Sequence, residues 1–218
     1  MVGARIVETN EGIQNEFNVE IFDKFKRKLR DRGWIETDQI INSGISSGTA
    51  LEIGPGPGYV GLEWLKRTKG TRLTGLEISP AMIGVAEKNA GEYALSDRVK
   101  YVQHNAVNKF PFPDNSFDGV FANESLHEWE NPKSIFDEIH RVLKPGGRYF
   151  ISDFRRDINP LVKYLMLFAC AKEIREGFLS SLNASYLAEE LKTVLGGTRL
   201  NRSEVKSDLM GLSVTGVK

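Results

Sequence analysis

The chain is poor in cysteine and histidine, carries no excess of either charge, and contains no long apolar run. A single cysteine, Cys170, excludes an intramolecular disulfide framework and a CxxC metal site. The three histidines, His104, His127 and His140, are scattered and lack metal-ligand spacing, so no metal is expected. Lys plus Arg and Asp plus Glu number 29 each. That balance argues against nucleic acid as a bulk partner. No charged-then-apolar leader and no bilayer-length apolar run can be read, so a soluble, cytoplasmic protein is the expectation. The 218 residues suit one α/β domain with a few additions and a core that needs no staples.

What is present is organised around residues 49–58, Thr-Ala-Leu-Glu-Ile-Gly-Pro-Gly-Pro-Gly. Ala50, Leu51 and Ile53 read as a short buried strand, and Leu62 and Leu65 follow at helical spacing. Strand, glycine-rich turn and helix together bring backbone close to a nucleotide-like ligand. Glycine suits the turn because a side chain would block that approach and because such turns often need positive φ. The spacing Glu52-x-Gly54-x-Gly56-x-Gly58 differs from the dinucleotide pattern G-x-G-x-x-G, which sets a pyrophosphate on a helix N-terminus. Glu52 would repel a pyrophosphate and stands where a carboxylate meets a cation.

Further along, Leu73–Leu76 reads as a second strand ending in Glu77-Ile78, and Ser79-Pro80 starts a helix. In a doubly wound sheet an acid at that strand end lies beside the glycine turn, where it can accept both hydroxyls of a ribose. Arg98–Gln103 is a third strand, followed by His104-Asn105-Ala106. The block Phe110-Pro111-Phe112-Pro113-Asp114-Asn115-Ser116-Phe117-Asp118 turns into the strand Gly119–Ala122. The segment Asn123-Glu124-Ser125-Leu126-His127-Glu128-Trp129 then sits at that strand's carboxyl end. Pro132–Leu143 is a helix, Lys144-Pro145-Gly146-Gly147 stops it, and Arg148–Asp153 is the next strand.

These motifs, in order from Thr49 to Asp153, resemble the class I, Rossmann-like, S-adenosylmethionine-dependent methyltransferases, of the type 11 kind. The carriers are Glu52-Ile53-Gly54-Pro55-Gly56-Pro57-Gly58, the 110–118 block, and Glu138-Ile139-His140-Arg141-Val142-Leu143-Lys144-Pro145-Gly146-Gly147. The resemblance implies a doubly wound, seven-stranded, mostly parallel sheet with an antiparallel last strand and helices on both faces. It also implies S-adenosyl-L-methionine as cofactor, held by Glu52, Gly54, Gly56, Gly58, Glu77, Ile78, Asn105, Ala106 and Asn123. Position 105 usually carries Asp in the family. The Asn105 carbonyl can still accept from the adenine amine, and the Ala106 amide can donate to the ring.

Methyl transfer from a sulfonium is an in-line displacement that needs positioning and exclusion of water more than a nucleophile. A base is required only if the acceptor must lose a proton. His127 is the first candidate, with Glu124 and Glu128 orienting it or acting themselves; the competing reading of His127 is a hydrogen-bonded residue that fixes the loop. The Asn/Asp-Pro-Pro-Tyr/Phe signature of amino-group methylation is absent, which leaves a small-molecule acceptor as the expectation. The rivals are a nonmethylating S-adenosylmethionine-binding regulatory or scaffolding protein and a nicotinamide-dependent oxidoreductase.

The remaining parts read as additions to the 45–153 cofactor-binding core. Residues 1–44 form a helical cap: a polar tail or flap (Met1–Asn15), a helix over Glu16–Arg32 with Phe17, Ile21, Phe25 and Leu29 at four-residue steps and Gly33 as C-cap, and a short helix capped by Thr37. Residues 154–183 read as a substrate lid with one apolar helix over Pro160–Phe178, or as a cap on the sheet. Residues 184–218 supply a closing helix (Ser185–Leu195) and the strands Leu200–Lys206 and Leu209–Val217.

Overall fold

A computed structural model describes residues 3–8 and 16–218, and the side chains of Glu16 and Phe17 lie outside that description, as do the remaining positions of the tail or flap and the Phe17 step of the helix pattern. Seven strands form one sheet: β1 (Thr49–Ile53), β2 (Arg72–Glu77), β3 (Val99–Gln103), β4 (Phe117–Asn123), β5 (Leu143–Phe154), β6 (Glu204–Ser207) and β7 (Gly211–Val217). Their order is β3-β2-β1-β4-β5-β7-β6. β1 pairs in parallel with β2 and β4, and β7 runs antiparallel to both β5 and β6. The strand order reverses between β1 and β4. Ligands of open α/β sheets bind in the crevice outside such a switch point.

Two cores, one on each side, hold the sheet. On one side Ile40, Leu62, Trp64 and Leu65 pack against Ala50, Leu73 and Phe121. These come from α2 (Thr37–Asn42) and α3 (Tyr59–Arg67). On the other, Ile135, Phe136, Ile139, Leu191 and Leu195 pack against Leu51, Val120, Ile151 and Val214; α5 (Pro132–Val142) and α8 (Ala188–Gly196) provide the helical side. Alternating residues of β1 thus serve opposite faces, as a strand's period of two requires. α4 (Pro80–Glu92) has Pro80 at its first position, and the Ser79 side chain accepts from Met82 N–H. α1 (Glu16–Asp31) ends with Gly33 at φ +69°, Trp34 N–H reaching Leu29 C=O and Gly33 N–H reaching Arg30 C=O. That is the left-handed helix stop expected of this glycine.

Four local expectations are corrected. Thr37 is inside α2 rather than its cap; Glu36 holds the cap position without a side-chain bond, and Thr37 Oγ1 donates to Val60 C=O. β5 begins at Leu143, so Lys144–Gly147 belong to the strand, with a register shift opposite Phe117 and Gly119. The strand pair is shorter than read, because Leu200 is buried in a loop before β6. The helix over Pro160–Phe178 is two helices, α6 (Pro160–Ala169) and α7 (Arg175–Ala184), joined by a 3-10 turn at Lys172–Ile174. Cys170 turns extended at the end of α6 and buries its thiol. Apolar spacing continues through this break with no Pro or Gly to mark it, so periodicity alone could not reveal it. α6 has no buried residue, and Leu161, Tyr164, Leu165 and Phe168 are exposed.

Candidate functional site

The glycine turn after β1 is built as its sequence demands. Gly54, Gly56 and Gly58 have φ of +65°, +52° and +84°. A Cβ at Gly54 would lie 2.8 Å from the Ser125 Cβ, and one at Gly58 would lie 2.6 Å from the Tyr101 hydroxyl. At Gly56 the nearest atom is a ring carbon of Phe22 at 3.6 Å. The turn is braced from behind by Asn89, whose amide donates to Pro57 C=O at 2.9 Å and to Asp23 Oδ1 at 3.0 Å. Tyr59 OH donates to the same Asp23 oxygen at 2.8 Å. Asp23 and Phe22 belong to α1, so the N-terminal helix is fastened over the turn.

A cleft of about 780 Å³, counting its open mouth, runs from this turn along the ends of β1, β2 and β4. Glu77, Ile78, Met82, Asn105 and Ala106 line one end, and Glu124, Glu128 and Trp129 the other. Glu77 Oε2 accepts from Gly56 N–H at 3.0 Å and Oε1 from Ser79 N–H at 2.9 Å. Burial pushes its carboxyl upward while these amides oppose. The Ile78 amide also donates to this carboxylate, which keeps acceptor capacity for a ribose hydroxyl. Asn105 Oδ1 accepts from Val107 N–H at 3.0 Å, which fixes the side chain and leaves one lone pair for an adenine amine.

Glu52 lies beneath the turn, 2% exposed, and Oε2 has no hydrogen-bond partner among the described residues. Burial drives its carboxyl up to about 8, opposed by a bond from Gly61 N–H and aided by the charge of Glu77. It lines a smaller pocket with Gly54, Gly56, Lys26, Asn123 and Glu124. A buried, unpartnered carboxyl of this kind lacks a cation or donor. Asn123 Nδ2 donates to Ser152 Oγ at 3.1 Å, and Lys26 Nζ sits 2.6 Å from Glu124 Oε2. Glu124 has φ +53°. A left-handed conformation at a non-glycine strand end is backbone strain of the sort found at ligand sites.

The three candidate catalytic residues separate. Glu124 and Glu128 line the large cleft, whereas His127 is buried just behind it. His127 is held by Asp153, which accepts from its backbone N–H at 2.6 Å and meets Nδ1 at 2.9 Å. Burial alone would lower the ring's pKa. Asp153, with Glu128 and Glu8 behind it, instead raises it to about 9. Glu128 is pushed up to about 7 by burial, against the pull of His127. Sequence reading passed over Phe22, Lys26, Asn89 and Asp153, as well as Glu36, a buried carboxyl raised to about 7 by burial beside Ser152. None of these carries a local motif; each reaches the site from a distant part of the chain. No group of three or more His, Cys, Asp or Glu among the described residues could hold a metal.

Residues 51–151 match the family model described as methyltransferase domain. This core is similar to methyltransferase domains. A sterol 24-C-methyltransferase of Gibberella zeae is 40% identical over 114 residues, 52% of this chain and 30% of that protein. A ubiquinone/menaquinone biosynthesis C-methyltransferase of Hahella chejuensis is 32% identical over 131 residues, 56% of this chain and 50% of its own. The chain thus spans half or less of the length of these two curated relatives. Over nearly its whole length it superposes on a Methanococcus maripaludis protein assigned to the S-adenosyl-L-methionine-dependent methyltransferases, with TM-score 0.76, 25% identity, and 95% of each chain covered. The strand order and this superposition give the chain the Rossmann-like fold of that structure. The orphaned Glu52 oxygen, the open face of Gly56 and the remaining acceptor capacity of Glu77 suit a cationic, nucleoside-like ligand.

Proposed function

We propose that the chain is an S-adenosylmethionine-dependent methyltransferase that acts on a small-molecule acceptor by in-line transfer. The observation that carries the reading is the pair of buried acids, Glu52 and Glu77, on either side of a turn whose Gly56 face is open apart from Phe22. When bound, S-adenosyl-L-methionine supplies a methyl group already activated on a positively charged sulfur. Glu77 holds the ribose hydroxyls. Glu52 faces the ammonium, Asn105 and Ala106 contact the adenine, and Ile78 packs against it. Gly54, Gly56 and Gly58 let the backbone approach, and Asn123 closes the amino-acid end. Phe22 roofs the cleft and keeps water out.

Glu128 and Glu124 border the side from which an acceptor enters. With its carboxyl raised to about 7, Glu128 is suited to take a proton near neutral pH. His127 anchors this loop to β5 through Asp153. The relatives' names, a sterol and a quinone C-methyltransferase, support an organic small molecule as acceptor rather than nucleic acid. Residues 1–44 act as cap, 45–153 as cofactor core, 154–183 as acceptor lid and 184–218 as closing unit. The exposed apolar residues of α6 support the lid. No helix among the described residues is long and apolar enough to cross a membrane, and we infer a cytoplasmic setting.

Thermal denaturation with ligands tests the reading. S-adenosylhomocysteine should raise the melting temperature with the logarithm of its concentration above Kd, and NAD should leave it unchanged. Stabilisation by NAD alone would replace this reading with the oxidoreductase one. Binding without methyl transfer to any acceptor present in the source cell's extract would favour the nonmethylating alternative.

A further inference from the structure

The described N-terminal stretch, residues 3–8, is latched across the far side of the candidate catalytic loop. Arg5 does most of the latching. Its guanidinium donates to Ala184 C=O and, at 2.8 Å, to His127 C=O, and it lies over the Tyr186 ring at 4.1 Å. Ile6 N–H donates to Asn183 C=O at 3.2 Å, and Arg156 Nε donates to Gly3 C=O at 3.0 Å. The latch presents Glu8 to the histidine: Oε2 lies 3.6 Å from His127 Nε2. That oxygen is shielded from solvent and has no hydrogen-bond partner among the described residues.

The ring is thus gripped on opposite edges. Asp153, from β5, fixes Nδ1 and so directs Nε2 toward the strap. Glu8, from a segment more than a hundred residues away in sequence, supplies the second carboxylate. Among the described residues the other charged group facing the ring is Glu128 on the same turn, with the Phe154 ring 6.5 Å away. We propose that Glu8 is a positioning residue: the N-terminal strap delivers its carboxylate to His127, and Glu8 and Asp153 together hold the imidazole in one orientation and one protonation state beside Glu128. The catalytic meaning of this arrangement rests on the methyltransferase reading, while the arrangement itself does not. The separation of 3.6 Å is an ion-pair distance and too long for a direct hydrogen bond. Charge, rather than a shared proton, is therefore what Glu8 contributes. An opposite charge so close favours the protonated ring.

The test is a ring-nitrogen titration of His127 by NMR in the full-length protein saturated with S-adenosylhomocysteine, the signal being assigned with His127→Asn. Glu8→Gln should lower the His127 pKa by roughly half a unit or more. Glu8→Asp should restore part of that shift. Asp153→Asn should lower it further and change the tautomer signature of Nδ1. Should Asp153→Asn fail to fold, the Glu8 pair still decides. An unchanged His127 titration in folded Glu8→Gln overturns the proposal. Cofactor affinity, measured in parallel by calorimetry, should stay within about twofold in the Glu8 variants. Failure of the wild type to bind S-adenosylhomocysteine would sink the methyltransferase reading instead, and the titration would then be run on the free protein.

Discussion

Glu77 is the residue on which cofactor recognition should depend most. Both its oxygens already accept a backbone N–H, from Gly56 and Ser79, so its carboxylate cannot swing away from the cleft. Removing it deletes a charge-assisted acceptor for a ribose and leaves the Gly56, Ile78 and Ser79 amides without their partner. Glu77→Ala should therefore weaken S-adenosylhomocysteine binding on the order of 10-fold or more. Calorimetry on the folded variant checks this, and unchanged affinity would remove the role. Glu77 was legible in the sequence because its function depends only on local facts: a strand end, a following helix start, and spacing from Gly54. The same holds for the glycines, whose positive φ follows from a tight turn. It does not hold for Asp153 or Lys26. An aspartate closing a strand and a lysine on an amphipathic helix have no signature of their own. Their partners, His127 and Glu124, are chosen by the tertiary fold.

At the scale of elements, the fastening of α1 to the glycine turn is the feature that turns a generic cap into part of the site. It runs through Asn89 of α4 together with Tyr59 of α3, which share Asp23. Asn89 is 1% exposed and donates to both Pro57 C=O and Asp23 Oδ1. Asn89→Ala leaves a buried carbonyl and a carboxylate oxygen with fewer partners, which costs about 1–3 kcal/mol. Urea unfolding should show that loss, and S-adenosylhomocysteine affinity should fall as well because the turn and its Phe22 roof lose a common brace. Lost stability with affinity intact would mean that α1 covers the site without shaping it. The order of the elements was readable because strands, caps and turns each left a local mark: Ser79-Pro80 before α4, Gly33 after α1, alternating Leu212 and Val214 in β7. The break at Cys170 left none. What ends α6 is the burial of a thiol and the contact of the 3-10 turn with α1, both products of packing.

At the scale of the whole molecule, the site's buried acids set how stability responds to pH. Glu36, Glu52 and Glu128 have carboxyls raised from 4.5 to about 7, 8 and 7, chiefly by burial. Despite its burial, His127 is raised from 6.5 to about 9, chiefly by Asp153. All four hold a proton in the folded state over a range where the unfolded chain has released it. That range is 4.5 to about 8 for the acids and 6.5 to about 9 for the histidine. Their stabilising contribution is whole below the unfolded value and is lost as pH climbs through the folded one. Carboxylates lowered by ion pairs, such as Asp118 by Lys144 and Glu138 by Arg141, act below this window and are flat within it. His140, lowered by burial, opposes the trend only just below 6.5. The cofactor-free protein should therefore lose stability, on the order of a few kcal/mol in sum, between pH 5 and pH 9. Glu52→Gln, which is neutral throughout, should remove part of that slope. Bound S-adenosylhomocysteine should flatten it too, because an ammonium facing Glu52 favours its ionised form and makes affinity rise with pH. Melting temperatures at unit pH steps, with and without ligand, read all three effects. A free protein whose melting temperature holds level or climbs over that window would mean that these acids are not desolvated in the folded state, and that Glu52 is already ionised before a cationic nucleoside reaches it.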